Sequence, residues 1–147
     1  MRSTGSKAFA SKTASAGLTE RLRQAGLRPT RQRIALGRLL FTNGDRHVTA
    51  EGLHLEAAKS GAELSLATVY NALHQFTAAG LLRQVIVDGE KTYFDTNIGD
   101  HHHFYAKDRE MLMDIPGDSV HIDGLPKAPA GMEIERVEVV VRLKPRA

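Results

Sequence analysis

The chain has 147 residues, a formal net charge of +3 and no cysteine. This length accommodates one ordinary domain or two small ones, and the missing cysteines exclude disulfides and thiolate metal sites. No apolar run reaches the roughly 20 residues that cross a bilayer, so the sequence predicts a soluble, cytoplasmic protein without membrane contact.

Charge is concentrated at the start of the chain. Residues 1–46 carry ten basic residues against two acidic ones, Glu20 and Asp45, so the remainder is net acidic. A basic front is typical of proteins that meet a polyanion. Residues 1–17 lack an apolar secretory core. We expect a flexible basic arm there, although a transit peptide has a similar composition.

Cap and stop residues predict three short helices in the first 60 residues. Each prediction rests on a Thr that can accept a backbone N–H and on a Gly or Asn-Gly that can end the helix. The predicted helices are 19–25 with Thr19 as cap and Gly26 as stop, RQRIALGRLLF after Thr30, and Ala50 to Lys59 after Thr49.

The stretch SLATVYNALHQFTAAGLL, residues 65–82, predicts a fourth helix with two distinct faces. Ser65 is a suitable N-cap and Gly80 a suitable stop. One face is apolar, at Leu66, Val69, Leu73 and Phe76. The other face has hydrogen-bonding groups and no acidic residue, at Tyr70, Asn71, His74 and Gln75. This second face suits insertion beside phosphates, and an ordinary amphipathic core helix is the alternative.

Two β-rich segments, LLRQVIV and KTYFD, follow this helix around a predicted hairpin turn at Asp88-Gly89. Helices followed by a two-stranded wing are the layout of a winged helix-turn-helix, which we assign to residues 18–95. In that fold one helix enters the major groove while flanking elements contact phosphates.

Residues 96–100 are turn-rich and predict a hinge to a second region, 101–147. There HHHFYA and EMLMDIP predict paired strands, and MEIERVEVVVRLK predicts a longer strand with one buried face. The region has few large apolar residues for an independent core. Pairing with a second copy would supply one, so we expect a homodimer.

Three consecutive histidines, His101, His102 and His103, are the most distinctive chemical feature. On a strand His101 and His103 point to one face, where two imidazoles can bind one divalent ion. Heme is the alternative ligand, because its iron binds imidazole. The structural alternative is a solvated histidine run that binds no ligand. Residues that would complete a metal site are His47, Asp95 and Asp114.

Catalysis is not expected. The chain has no GxSxG, no HExxH and no phosphate-binding glycine loop, and nothing marks a substrate pocket. A small metallohydrolase is therefore disfavoured. A metal or heme carrier without specific DNA binding remains the alternative to a DNA-binding regulator.

The stretches GLRPTRQRIAL, HVTAEGLHLEA, SLATVYNALHQFTAAGLL and DGEKTYFD followed by HHH resemble the ferric uptake regulator family of bacterial metal-responsive repressors. The resemblance implies an α+β chain: an N-terminal winged helix-turn-helix, a hinge, and a small α/β dimerisation domain that senses metal or heme. It also implies a double-stranded DNA operator as partner. Tyr70 and Asn71 fall on the positions that approach bases, and the whole predicted DNA-binding set is Arg31, Arg33, Ser65, Thr68, Tyr70 and Asn71.

The resemblance also implies an inter-domain sensor site. Its ligands would be His47, Asp95, His101, His103 and Asp114, with Asp95 at a position where the family usually has Glu. His102 matches a second site, so the cluster His101, His102 and His103 is the candidate for heme or a second metal. The expected ligands are heme, or a divalent Fe, Mn or Zn ion.

Departures from the family pattern narrow the resemblance to one branch of the family. Ala106 and Arg109 stand where the family has a CxxC pair, so no cysteine-based structural zinc is expected. Pro126 and Pro129 oppose the long helix of the family's dimerisation domain. These features resemble the iron response regulator branch of alphaproteobacteria, which implies a nucleoid-associated regulator of iron and heme genes that responds to heme.

Overall fold

The computed structural model describes residues 17–88 and 91–147. Contacts divide the chain into a first unit that ends at Ile98 and a second unit, Gly99–Ala147. Most of the predicted basic arm, residues 1–16, and the predicted turn residue Gly89 lie outside the described residues.

The described part of the first unit contains four helices and three strands. They are α1 (17–24), α2 (Arg31–Phe41), β1 (His47–Val48), α3 (Ala50–Lys59), α4 (Leu66–Ala78), β2 (Arg83–Asp88) and β3 (Lys91–Asp95). The strands form a small antiparallel sheet of order β1-β3-β2. Helices α3 and α4 form the helix-turn-helix, and β2 with β3 forms the wing. This is the predicted α+β architecture, with β1 as an unpredicted third strand.

Three of the four predicted helix caps are confirmed. Thr30, Thr49 and Ser65 each accept a backbone N–H from the first turn of the helix that follows. The cap predicted at Thr19 is wrong, because residues 17 and 18 are already helical. Leu18 is buried in the apolar core, and this packing extends α1 towards the N-terminus.

One apolar core joins the helices of the first unit to β3. Val69, Leu73 and Phe76 from α4 are fully buried in it, as predicted, together with Phe94. Leu66 was predicted on the same face but is 37% exposed. It is the first residue of α4, one turn before the helix packs into the core.

The second unit is a three-stranded sheet of order β5-β4-β6, in which β4 is antiparallel to β5 and parallel to β6. In residues 99–147, all of which are described, helical structure is limited to two 3-10 turns, and Pro126 and Pro129 lie in an irregular segment. The strands are β4 (His101–Ala106), β5 (Met111–Pro116) and β6 (Val140–Leu143).

The long C-terminal strand prediction is only partly right. Of the stretch 132–144, only Val140–Leu143 forms a strand, and Ile134 is 47% exposed rather than on a buried face. The chain reaches β4 only at Val139, whose carbonyl accepts the His103 N–H at 3.1 Å. Residues before Val139 therefore have the alternating pattern of a strand without a partner strand.

Among the described residues, no helix has both the length and the apolar character needed to span a membrane.

Candidate metal centre and nucleic-acid interface

The second unit brings two histidines to one side of its central strand. His101 and His103 alternate along β4, and their ring centroids lie 4.6 Å apart. Their exposed fractions are only 6% and 2%. The predicted shared face is therefore confirmed, and its two rings are almost fully shielded from solvent.

Asp114 completes this group from the neighbouring strand, where it pairs with His103. One carboxylate oxygen, Oδ1, lies 3.2 Å from Nε2 of His101 and 3.4 Å from Nε2 of His103. The three donor atoms lie within 4.8 Å of one another. A single cation among them would contact all three side chains.

A backbone carbonyl determines which nitrogen of His101 faces Asp114 as a potential ligand. Nδ1 of His101 lies 2.6 Å from the Gly99 carbonyl oxygen. Because a carbonyl only accepts, Nδ1 carries the proton, as in histidines that bind metal through Nε2. In the neutral ring the Nε2 lone pair then faces a carboxylate oxygen at 3.2 Å. That approach is favourable when a proton or a metal ion lies between the two atoms.

The first unit holds a second donor pair, which the sequence predicted as ligands. His47 in β1 lies opposite Asp95 in β3, with 3.2 Å between His47 Nε2 and Asp95 Oδ2. Asp95 is fully buried, and its Oδ1 accepts the Asn97 N–H at 2.9 Å. The pairing of β1 with β3 fixes this geometry, and that pairing had no sequence signal because β1 is only two residues long.

Both donor groups suit a divalent ion. Imidazole nitrogens and carboxylate oxygens are the ligands of Zn, Fe and Mn sites, at distances near 2.0–2.2 Å for zinc. The Nε2–Oδ1 distances of 3.2 and 3.4 Å are close to the spacing of neighbouring ligands around one such ion. The residues therefore fit a metal.

His102 does not fit as a metal or heme ligand in this conformation. Its ring is half-buried, and its Nδ1 accepts the Val139 N–H at 3.0 Å. A neutral ring that accepts at Nδ1 carries its proton on Nε2, so neither nitrogen offers a lone pair to iron. Ligation by His102 would require loss of the hydrogen bond to Val139.

The polar face of α4 carries a contact that the sequence did not predict. The Tyr70 hydroxyl donates to Oε1 of Glu51 at 2.7 Å, from α4 to the first turn of α3. This hydrogen bond is the main reason that the pKa of Tyr70 is raised and the pKa of Glu51 is lowered. Glu51 lies 19 residues before Tyr70. Only the crossing of α3 and α4 brings them together.

The predicted arginines differ in their surroundings. Arg31 is exposed at the start of α2. The Arg33 guanidinium donates to the Arg28 carbonyl and to Oε1 of Gln75, both at 2.9 Å. Arg33 thus ties the start of α2 to the polar face of α4, which is a positioning role that the sequence did not indicate.

The remaining predicted DNA-binding residues lie on the first two turns of α4. Ser65 and Thr68 share a side-chain hydrogen bond of 2.8 Å at the N-terminus of the helix. Asn71 is exposed next to Tyr70. All of these predicted residues, with Arg31 and Arg33, belong to the first unit.

Comparisons with known proteins agree on one family. A family model described as "Ferric uptake regulator family" matches residues 24–141. A ferric uptake regulation protein of Shigella flexneri is 34% identical over 67% of this chain and 68% of its own length. That of Legionella pneumophila is 36% identical over 57% of this chain, which spans 62% of the relative.

A solved structure is also similar. The ferric uptake regulator of Pseudomonas aeruginosa with manganese matches with a TM-score of 0.65 and 25% identity. The match covers 88% of this chain and 98% of that one.

Proposed function

Because the chain belongs to the ferric uptake regulator family, we propose that it is a DNA-binding transcriptional regulator that a divalent metal ion controls. The observation that carries this proposal is the convergence of two nearly buried imidazoles on one carboxylate oxygen, at His101, His103 and Asp114. Such a group has the donor types of a divalent-metal site and contributes little as an apolar core.

The ligands would couple the two units. His101, His103 and Asp114 hold one side of the site, and the family resemblance assigns His47 and Asp95 to the same site. A bound divalent ion would offset the negative charge of both carboxylates and accept the imidazole lone pairs. Ligands from both units would restrict the hinge at 96–100 and favour one arrangement for DNA binding.

The DNA contacts follow from the helix-turn-helix. Helix α4 would enter the major groove with Tyr70 and Asn71 towards the bases, while Arg31 and Arg33 neutralise phosphates. We further propose a homodimer, since two copies place two such helices on the half-sites of an operator. Exposed apolar side chains of the second unit, including Ile134 and Val141, supply surface for that contact.

Heme is the other ligand that the sequence predicts, through the resemblance to the iron response regulator branch. Metal is favoured here because His102 already accepts the Val139 N–H. A carrier without specific DNA binding is the second candidate function, favoured only by the same ligand group. Targets among iron and heme genes, and nucleoid association, follow from the resemblance.

DNA selection followed by metal titration tests the proposal. Duplexes are enriched from a randomised library with wild-type protein and Mn²⁺, and binding to the enriched duplex is measured with and without Mn²⁺. We expect Mn²⁺ to tighten specific binding in wild type and in His121→Ala, an exposed histidine in an irregular segment. The double variant His101→Ala/His103→Ala should show no Mn²⁺ effect.

Two results would reject the proposal. Metal binding without any enriched duplex indicates the carrier. A Mn²⁺ effect that survives in the double variant removes the sensor role of His101 and His103. Hemin in place of Mn²⁺, in the same assay, tests the heme alternative.

A further inference from the structure

We propose that Glu51 is a specificity-determining residue, which makes Tyr70 a reader of bases by holding its hydroxyl proton. The inference rests on the proposed DNA-binding function and assigns a role to a residue outside the predicted contact set. Its basis is the hydrogen bond of 2.7 Å between the Tyr70 hydroxyl and Oε1 of Glu51.

The direction of this hydrogen bond is fixed by chemistry. An ionised carboxylate only accepts, so the phenol must donate its single proton to Glu51. A further partner of the Tyr70 hydroxyl can then only donate to it. Tyr70 also stacks on the His74 ring with 6.3 Å between centroids, which limits rotation of the phenol ring away from α3.

A Tyr hydroxyl in this state distinguishes among the groups of DNA. Phosphate oxygens, guanine O6 and N7, and thymine O4 are all acceptors, so none of them can bond to it. The amino groups of adenine and cytosine are donors, and the thymine methyl can pack against the ring. Glu51 therefore excludes a sequence-independent phosphate contact by Tyr70 and leaves only contacts that depend on the base.

The negative charge of Glu51 also favours specific binding over non-specific binding. Neither α2 nor α4 contains an acidic residue, so Glu51 brings a negative charge to the polar face of α4 through its contact with Tyr70. Its side chain is exposed. A carboxylate there opposes the approach of phosphates and lowers affinity for any sequence. Binding is then favourable only where base contacts add to it.

Substitutions separate the hydrogen bond from the charge. Glu51→Ala removes both, and Glu51→Gln removes the charge while keeping an acceptor of the same length. Glu63→Gln is the matched control, because Glu63 is an exposed acid between α3 and α4. The single hydroxyl proton of Tyr70 is donated to Glu51, so Glu63→Gln removes a charge without removing that hydrogen bond. Binding to the enriched duplex and to a scrambled duplex is measured at fixed salt with Mn²⁺.

We expect Glu51→Ala to lower the ratio of specific to non-specific affinity about tenfold, which corresponds to one lost base-discriminating contact. Glu51→Gln should lower the ratio less, and Glu63→Gln should leave it unchanged. Both Gln variants should raise affinity for the scrambled duplex. Adding Tyr70→Phe to Glu51→Ala should lower affinity for the scrambled duplex again, because the hydroxyl that Glu51→Ala frees to donate to phosphates is then absent.

Two kinds of failure are distinguishable. If wild type enriches no duplex, the proposed function fails and this inference fails with it. If wild type is specific and Glu51→Ala retains the wild-type ratio, only the role of Glu51 is rejected. An equal loss in Glu63→Gln would also reject it, because the effect would then be one of general charge.

Discussion

The two units differ in what fills their interiors. In the first unit, buried aliphatic and aromatic side chains from four helices close around Leu73, Phe76 and Phe94. In the second unit, the buried set includes His101 and His103 beside Tyr105, Leu112 and Ile115. The first interior is mainly apolar, with Arg83 and Asp95 as buried charged residues, whereas the second contains two imidazoles beside a carboxylate.

The surfaces of the two units differ in how many large apolar side chains they expose. Among the described residues, most of the large apolar side chains that are exposed belong to the second unit, although it is the smaller one. Exposed apolar groups of this kind are typical of surfaces that bind another chain. The first unit therefore has an apolar core closed by its own helices, and the second unit exposes more apolar surface to a second chain. The exposed members in the second unit are Met111, Ile122, Leu125, Met132, Ile134, Val141 and Leu143.

The largest expected effect on stability comes from truncating a buried side chain of the first unit, compared with an exposed side chain of the second. Phe76→Ala should lower the free energy of unfolding by about 3–5 kcal/mol, because it opens a cavity in a closed core. Ile134→Ala, at an exposed position, should change it by less than about 0.5 kcal/mol. Urea unfolding of dilute, metal-free protein measures both. Equal losses would show that Ile134 is as closely packed as Phe76, either within the unit or against a second copy.

Metal should stabilise the chain through the second unit. A ligand at 100 times its dissociation constant stabilises the folded state by about 2.7 kcal/mol. Mn²⁺ should therefore raise the melting temperature of wild type and of His121→Ala. It should not do so for His103→Ala, which lacks one buried donor. A Mn²⁺ shift of the same size in His103→Ala would place the stabilising ion elsewhere.

Local capping sharpens the description of the first unit at a smaller scale. Thr49→Ala should cost about 1 kcal/mol, since the Thr49 hydroxyl accepts the Gly52 N–H at 3.1 Å. Thr49→Ser keeps the acceptor and should cost less than Thr49→Ala. Thermal unfolding by circular dichroism compares the two variants, and equal losses would indicate that the methyl group matters rather than the cap.

The smallest expected effect is a shift of one phenol titration. The bond to Glu51 raises the pKa of Tyr70 and lowers the pKa of Glu51, to which Lys91 adds a smaller lowering. Its stabilisation is therefore lost as pH falls through the lowered Glu51 pKa or rises through the raised Tyr70 pKa. Absorbance at high pH should show one of the three tyrosines titrating earlier in Glu51→Gln. Identical titrations would contradict the bond in solution.

Features that depend on neighbouring residues could be predicted from the sequence, whereas contacts between distant residues could not. The caps at Thr30, Thr49 and Ser65 are local chemistry, so their residue types sufficed. The shared face of His101 and His103 follows from strand alternation. The contacts of Glu51 with Tyr70, and of Arg33 with Gln75, join distant positions with no periodic signal. The stretch 132–144 was overpredicted as a strand because alternation does not reveal whether a partner strand is present.

Linkage between metal and DNA tests the central claim most directly. If the His and Asp ligands favour the DNA-competent arrangement, Mn²⁺ and operator must each tighten the binding of the other by the same factor. Calorimetric titration of wild-type protein with Mn²⁺ is therefore run with and without the enriched duplex. We predict that the enriched duplex tightens Mn²⁺ binding by the same factor by which Mn²⁺ tightens DNA binding. In His101→Ala/His103→Ala the duplex should not change Mn²⁺ binding. Equal Mn²⁺ affinity with and without the duplex would contradict metal control of DNA binding.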